Sequence, residues 1–410
     1  MKKKKKENLK PNGFAWLIYR TYSSILMRLK FNVKYDRTVF NNRNKKEGCI
    51  VLYNHACNYD HYISTAFFRR TKVNYVVSNR FMFNPLTRFV LRLAKAIHRD
   101  QFKNDTASIL KMKRVIERGG IISIAPAGQV SIHGEMPYIN PVIVKLLKMC
   151  KADVYTLQSS GTYLAAPKWS LSKRKYPISV KCVKTLSKEE IKSLDADTLY
   201  NKIINDLDIN DRVNQKNKNI EIKGKNLASG LENIFFICPK CNEKYSFISK
   251  DNTLKCQCCG NTVIYNKFGF LEKSSDSDVL LDNESLWCKY QKHQIMAQIK
   301  AKTYYKESNV SFYSNPNKDF KLEFVGIGKL IYDNNTLKYI GTYLGKEIVK
   351  EFNLNILTQF PFSPNVRFNI PDEMGMLEFV PNNKQEVFEW ATFIDAYHTA
   401  LGEVKEDAAY

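Results

Sequence analysis

Asn54, His55 and Asp60 stand in the stretch GCIVLYNHACNYD, residues 48–60, where an apolar run stops at an amide and an imidazole and a carboxylate follows five positions after the histidine. An imidazole oriented by a carboxylate is a general base, able to take the proton from an alcohol while that oxygen attacks an acyl carbon. No serine or cysteine nucleophile is needed when the alcohol is itself the substrate. Inside one regular helix five residues turn through about 500°, so the two side chains would diverge by roughly 140° and could not touch. The pair therefore requires GCIVLY to be a buried strand that ends at the histidine, with a turn before a helix near Asn58. Asp60 can then fold back to accept the Nδ1 proton, leaving Nε2 at the opening beyond the strand end, where α/β sheets bind ligands.

A second cluster has a different chemistry. Cys238 and Cys241 in CPKC are followed after fourteen residues by Cys256 and Cys259 in CQCCGN. Two C-x2-C pairs at this spacing suit tetrahedral thiolate coordination of Zn²⁺, and four thiolates leave no position for water or substrate, so the ion is structural. It would fold a unit, residues 231–272, too small to bury a core of its own. Cys258 competes as a ligand, with Gly260 just after Cys259 favouring the stated set. The lysines of this zinc ribbon lack the aromatic interleaving of a nucleic-acid platform, which makes docking or spacing its expected role.

Elements must position these groups. Between about 48 and 200, the apolar runs GCIVLY, VNYVVS, GGIISIAP, ADVYTLQS and YPISVKCV alternate with helical patterns near 86–97, 105–118 and 138–150. That order predicts an α/β domain with a mixed sheet flanked by helices, over 41–215. Short helices near 185–214 close it, and the polar linker NQKNKNIEIKGKN follows. From about 300 onward the alternation of Phe320, Leu322 and Phe324 and of Val366, Phe368 and Ile370, with a turn at Asp333-Asn334-Asn335, predicts strands. A closing helix places Val387, Trp390, Ile394, Tyr397 and Leu401 on one side. Residues 285–405 thus read as a mainly β, barrel-like domain with a C-terminal helix, resembling a pleckstrin-homology domain.

Charge is unevenly distributed. Residues 1–200 hold 38 Lys and Arg against 13 Asp and Glu, a balance of +25, whereas residues 201–410 hold 26 against 27. The first half is built to meet something anionic, and both a membrane surface and nucleic acid fit such a field. Residues 14–30 place Phe14, Leu17, Ile18, Tyr22, Ile25, Leu26 and Leu29 on one helical stripe behind a Lys2–Lys6 run. This is the pattern of a helix lying in a membrane interface, residues 1–40, although a helix docked on its own domain shows a similar stripe. Arg20 interrupts the apolar region and no small-residue cleavage site follows, which argues against a signal peptide. No apolar run reaches the roughly 18 residues of a membrane span. Ten cysteines, four of them in metal-type pairs, point to a reducing compartment. The richness in Lys, Asn, Ile and Tyr suits an AT-rich bacterial genome.

Taken with AIHRD at 96–100 and IAPAGQVSIHGE at 124–135, the NHACNYD motif resembles the glycerolipid (lysophosphatidate-type) acyltransferase family over about residues 40–210. The resemblance implies His55 as base, Asp60 as its partner and Asn54 beside them at the substrate. It implies Arg99 as a grip on the acceptor's phosphate, a solvated loop arginine being the plain alternative. In the third motif Pro126, Gly128, Ser131 and Gly134 agree, but Ala127 stands where the family has glutamate and Val130 where it has arginine. That departure puts glycerol-phosphate recognition in question, with Gln129, His133 or Glu135 as substitutes. Gly128 would let a backbone N–H approach an anionic oxygen, or simply make a turn. The basic loop Lys173, Arg174 and Lys175 before the last strand also resembles some bacterial members.

The family implies an acyl thioester co-substrate, acyl-CoA or acyl-ACP, with acyl phosphate also open. It further implies a lysophospholipid or other lipid acceptor, acyl carrier protein as a partner, and the cytoplasmic face of the membrane as the place of work. Two other readings stand beside it. A zinc-ribbon nucleic-acid-binding protein would leave Asn54, His55 and Asp60 without a task, and nucleic acid is therefore the disfavoured partner. A non-catalytic lipid-binding relative is kept open by the altered third motif.

Overall fold

The computed structural model describes residues 8–99, 105–315, 321–357, 359–372 and 375–402. The chain divides into two compact units, Met1–Pro167 with Lys175–Asn219, and Lys168–Arg174 with Ile220–Tyr410. The segment 1–40 and, apart from 168–174, the segment 41–215 fall in the first unit; 231–272 and 285–405 fall in the second.

In the first unit α1 (Gly13–Phe31), β1 (Lys34–Asp36) and α2 (Thr38–Asn41) lead into β2 (Cys49–Tyr53) and α3 (Asp60–Phe68). Then come β3 (Asn74–Ser78), α4 (Pro85–Leu93), β4 (Ile97–Arg99), α5 (Thr106–Glu117), β5 (Ile121–Ile124), α6 (Val142–Cys150), β6 (Val154–Ser160), α7 (Thr162–Ala165) and, after β7 (Arg174–Lys175), whose Arg174 belongs to the second unit, β8 (Ser179–Leu186). Three helices follow, α8 (Lys188–Ser193), α9 (Ala196–Leu207) and α10 (Asp211–Lys218). The sheet has the order β1-β8-β6-β2-β5-β3-β4. Its strands β6, β2, β5, β3 and β4 run parallel, and β8 is antiparallel to β6, so the expected mixed sheet is present. All five residues of β2 are buried, as a central parallel strand covered on both faces requires, and this is why it reads as one continuous apolar run. Ile50, Leu52, Ile122, Ile124, Val115 and Leu147 meet in the core.

Two short elements differ from the reading of the sequence. The helix expected near 86–97 stops at Leu93; Lys95 turns the chain at φ 50° and Ile97–Arg99 joins the sheet edge beside β3. Ile97 is 1% exposed, so its burial in the sheet outweighs the helical pattern, and neither β4 nor β1, at three residues each, is long enough to show strand alternation. The polar linker is helical in its first residues, since α10 runs to Lys218. Asn12 caps α1 through its side chain, and Trp16, Ser23, Met27 and Phe31 are the buried face. Phe14 and Leu29 are 73% and 74% exposed, and Leu17, Ile18, Tyr22 and Ile25 are exposed beside them, whereas Leu26 is half-buried. The Lys2–Lys6 run lies outside the described residues.

The second unit holds β9 (Lys223–Gly224) and a four-stranded antiparallel sheet of β10 (Phe247–Lys250), β11 (Thr253–Cys256), β12 (Thr262–Tyr265) and β13 (Leu271–Lys273). A helix α11 (Glu284–Lys300) follows, then β14 (Lys306–Ser314), β15 (Glu323–Asp333), β16 (Thr336–Tyr343), β17 (Lys346–Phe352), β18 (Phe362–Ser363), β19 (Arg367–Asp372), β20 (Gly375–Pro381) and α12 (Glu386–Ala400). The strands form one antiparallel sheet, β17-β16-β15-β14-β20-β19-β18, in which two meanders join where β14 meets β20. Asn334 and Asn335 both adopt positive φ in the tight turn between β15 and β16, the geometry that favours asparagine in a two-residue hairpin. Of the alternating residues, Phe368 and Ile370 are fully buried, while Phe324 and Val366 are exposed, Leu322 precedes the strand and Phe320 lies outside the described residues.

No element was expected at 284–300. The apolar stripe of α11 is broken by buried Gln291, whose side chain accepts from Phe236 N (2.6 Å) and Ile237 N (2.9 Å) and donates to Ile234 O (2.9 Å). Arg174, expected in an open basic loop, is instead 5% exposed. It donates to Leu227 O at 2.6 Å and lies over the rings of Trp169 and Tyr265.

Candidate active site and metal centre

At the end of β2 the chain leaves the sheet through Asn54 and His55 and re-enters regular structure at Asp60, the first residue of α3. That reversal brings His55 Nδ1 to 2.8 Å from Asp60 Oδ2. The carboxylate is held from the other side as well, accepting from the backbone N–H of Cys57 at 2.9 Å and from the Cys57 thiol at 3.2 Å. Burial pushes the Cys57 thiol well up, with the adjacent Asp60 charge adding to the shift, so this sulfur stays protonated and serves as a donor. A carboxylate that accepts on the Nδ1 side assigns the proton to that nitrogen. Nε2 makes no hydrogen bond among the described residues, and the His55 side chain keeps 23% of its surface while that of Asp60 keeps 2%.

Asn54 is buried with both ends of its amide committed: it donates to Ser159 O (2.9 Å) and accepts from Ser159 N (2.8 Å). The side chain expected at the substrate thus joins the ends of β2 and β6, setting where the histidine leaves the sheet. Ser131 N donates to His55 O at 2.8 Å, which docks the loop after β5 onto the same turn. The Ser131 hydroxyl in turn accepts from Gly134 N (2.9 Å) and donates to Glu135 O (2.6 Å). Gly134 has φ 87°, and a Cβ there would lie 2.9 Å from the Tyr163 ring, so only glycine fits. Arg212 holds this loop by donating to His133 O and, at 3.2 Å, to Tyr163 OH.

The other expected site residues are spread along the same end of the sheet. Pro126, Gly128 and Gln129 follow β5, the strand beside β2. Gly128 has φ 69° and its N–H donates to Ala125 O at 3.2 Å, so that donor closes a turn. Ala127 packs against the hydrophobic core. Arg99 ends β4, three strand spacings or ~14 Å from β2 along the sheet, and is not brought to His55.

Three contributors were missed. His61 follows Asp60 in α3, and burial holds its imidazole down at about 4, against the pull of the Asp60 charge. Asp211 accepts from Gly161 N (2.6 Å) and Tyr163 N (2.9 Å), with burial raising its carboxyl above the ordinary range. Lys30 of α1 donates to Tyr59 OH and lies over that ring. The contacts of Lys30 and Asp211 join residues 29 to 50 positions apart, and no local pattern announces them.

In the second unit Cys238, Cys241, Cys256 and Cys259 bring their sulfurs within 4.8 Å of one another. Cys238 and Cys259 are 3.7 Å apart and Cys241 and Cys256 3.8 Å. Thiolates ~2.3 Å from a tetrahedral ion stand ~3.8 Å from each other, so the four fit one metal ion. Cys258 is exposed and outside the cluster. A second closed polar site lies beside it in chain order: Glu389 of α12, with no exposed surface, accepts from Lys244 (2.6 Å), Lys306 (2.8 Å), Tyr304 OH (3.1 Å) and Tyr245 OH.

Residues 36–159 match the family model described as Acyltransferase. The matched stretch contains both His55 and Asp60. Among solved structures, the 1-acyl-sn-glycerophosphate (LPA) acyltransferase PlsC from Thermotoga maritima is similar over 50% of this chain and 79% of its own, with a TM-score of 0.41 and 14% identity. No curated protein matches the chain.

Proposed function

We propose that the protein moves a fatty acyl group from an acyl thioester, acyl-CoA or acyl-ACP, to a hydroxyl of a lysophospholipid or related lipid. The observation that carries this reading is the 2.8 Å bond between His55 Nδ1 and Asp60, placed at the end of the central strand inside the acyltransferase-matched stretch. His55 Nε2 takes the proton of the acceptor hydroxyl as its oxygen attacks the thioester carbonyl carbon; the C–S bond then breaks and the leaving thiolate takes that proton back. Asp60 stabilises the imidazolium formed between the two steps. Asn54 acts as a positioning residue, and the acceptor's polar head is met by the loop holding Pro126, Gly128 and Gln129, with Arg99 further along the sheet end.

The acceptor reaches this site from a membrane. No helix among the described residues is long and apolar enough to cross one. The exposed stripe of α1 suits a helix seated in the interface, and we place the protein at the cytoplasmic face, peripheral or monotopic. The cysteine cluster is read as a structural Zn²⁺ site in a zinc ribbon, and the seven-stranded sheet with α12 as a pleckstrin-homology-like domain. A lipid-binding relative without turnover is the second reading, favoured by Ala127, which packs into the core where the family's acid would stand.

The deciding experiment is acyl transfer from labelled acyl-CoA, and separately from acyl-ACP, to a panel of lysophospholipids and glycolipids. Turnover by the native protein that His55→Ala and Asp60→Asn both lose bears out the reading and names the acceptor. No turnover with any pair, while liposome binding persists, moves the protein to the second reading.

A further inference from the structure

At the far end of α3 from Asp60, about 12 Å along the helix axis, the first unit has an open cavity of about 800 Å³. Six cations line it, Arg20, Arg37, Arg43, Lys45, Arg69 and Arg70, and no acidic side chain does. Its floor is aromatic, formed by the buried rings of Phe40, Phe67 and Phe68. The volume lies in the range of ligand-binding cavities.

Two of the six are fixed in place. Arg37 donates through Nε to Phe67 O (2.7 Å) and through Nη2 to Ala66 O (3.1 Å), capping α3, and Arg43 donates to Phe40 O (2.9 Å) while lying 3.9 Å over the Phe40 ring. Burial lowers the pKa of Arg37, and the nearby Arg69 charge adds to that shift. Arg69 sits at φ 50°, ψ −115°, a conformation an arginine rarely adopts. Like charges gathered over an aromatic floor repel one another, and an anion seated among them would relieve that repulsion.

We infer that this cavity binds a phosphate group, and that an anionic phospholipid headgroup supplies it. The cavity is bounded on one side by Arg20, Thr21, Ser24 and Ile25 of α1. Ile25 also belongs to the exposed apolar stripe with Tyr22 and Leu29, so a helix lying at headgroup depth sets the cations among phosphates. Arginine forks suit phosphate oxygens, and the site is separate from the catalytic end of α3. The phosphate site rests on the cavity itself, its seating among membrane headgroups rests on the interface reading of α1, and both are independent of turnover.

The test compares the native protein, Arg69→Ala/Arg70→Ala and, as an equal loss of charge elsewhere, Lys145→Ala/Lys148→Ala on the exposed side of α6. Binding is measured to phosphatidylcholine vesicles with and without phosphatidylglycerol. Each basic side chain near an anionic surface weighs roughly fivefold, so the cavity variant is expected to bind the anionic vesicles about 25-fold more weakly. The α6 variant should fall by no more than a few-fold. Monomeric dihexanoyl-phosphatidylglycerol should raise the melting temperature of the native protein and not that of the cavity variant. Equal weakening in both variants overturns the inference. Inorganic phosphate that stabilises the native protein as well as the short-chain lipid does would assign the cavity to soluble phosphate and overturn the lipid source. A native protein indifferent to all vesicles would sink the interface reading of α1, and the monomeric lipid would still decide the cavity.

Discussion

Asp60 and Glu389 are both buried carboxylates, one in each unit, and they are finished differently. Glu389 faces two lysines and two tyrosines, so its charge is balanced and its oxygens are occupied. Asp60 is equally enclosed, but one of its partners is an imidazole whose second nitrogen has no protein partner among the described residues. The cysteine cluster follows the pattern of Glu389, since four thiolates around one ion leave no open position. A polar group enclosed on all sides holds a fold together; one enclosed on all sides but one is placed to act on something that arrives.

That contrast can be broken by experiment. The largest expected effect is at the closed metal site: small zinc units draw ~10 kcal/mol or more of folding free energy from the ion. Cys238→Ser/Cys241→Ser should lose the metal ion held by the cysteine cluster, as read by elemental analysis, and with it the thermal transition of the second unit. An unchanged transition in the metal-free protein would remove the ion from the folding argument.

At the open site His55→Ala should leave the melting temperature near its native value while lowering acyl transfer by about 10²–10⁴-fold, the range of a general base. A variant that lost stability and kept turnover would reverse the assignment. Glu389→Gln removes one charge from a buried set and takes from Lys244 and Lys306 the carboxylate they share, at an expected loss of about 3–5 kcal/mol in chemical denaturation of the second unit. A loss below ~1 kcal/mol would show that the set is not enclosed as described.

The smallest effect separates His55 from its neighbour His61. Burial lowers the His61 pKa to about 4, below the roughly 6.5 of an unfolded chain. Between those values the unfolded state takes up a proton that the folded state refuses, so stability falls as pH drops from about 6.5 toward 4, by at most roughly 3 kcal/mol, and is unaffected above that window. His61→Gln should flatten this slope when unfolding is compared at about pH 7 and about pH 4.5, and an unaltered slope would assign the acid sensitivity to other groups.

Much of the candidate site was legible because its parts are close in sequence. Five residues separate His55 from Asp60, and two C-x2-C pairs announce their ligands by spacing, because the turn that joins them is short enough to leave a pattern. Long apolar runs such as β2 were equally plain. The three-residue strands β1 and β4 were not, since alternation needs more residues than they have, and α11 was hidden by buried polar residues whose partners lie more than fifty positions away. Arg174 looked like a surface cation because its buried partners Leu227 and Tyr265 lie more than fifty positions away in sequence.

By itself, then, the sequence determined the pairing of His55 with Asp60, the four-cysteine cluster, the long apolar strands such as β2, and the amphipathic face of α1, all of them consequences of local spacing and periodicity. Only the tertiary structure decided that Asn54 is used up by Ser159, that Ser131 holds the carbonyl of His55, that Arg99 stands three strands away, and that six cations from α1, the segments flanking α2 and the end of α3 share one cavity. These depend on which strands pair and which helix ends meet, and such contacts are set by burial of the whole core rather than by any short stretch of chain.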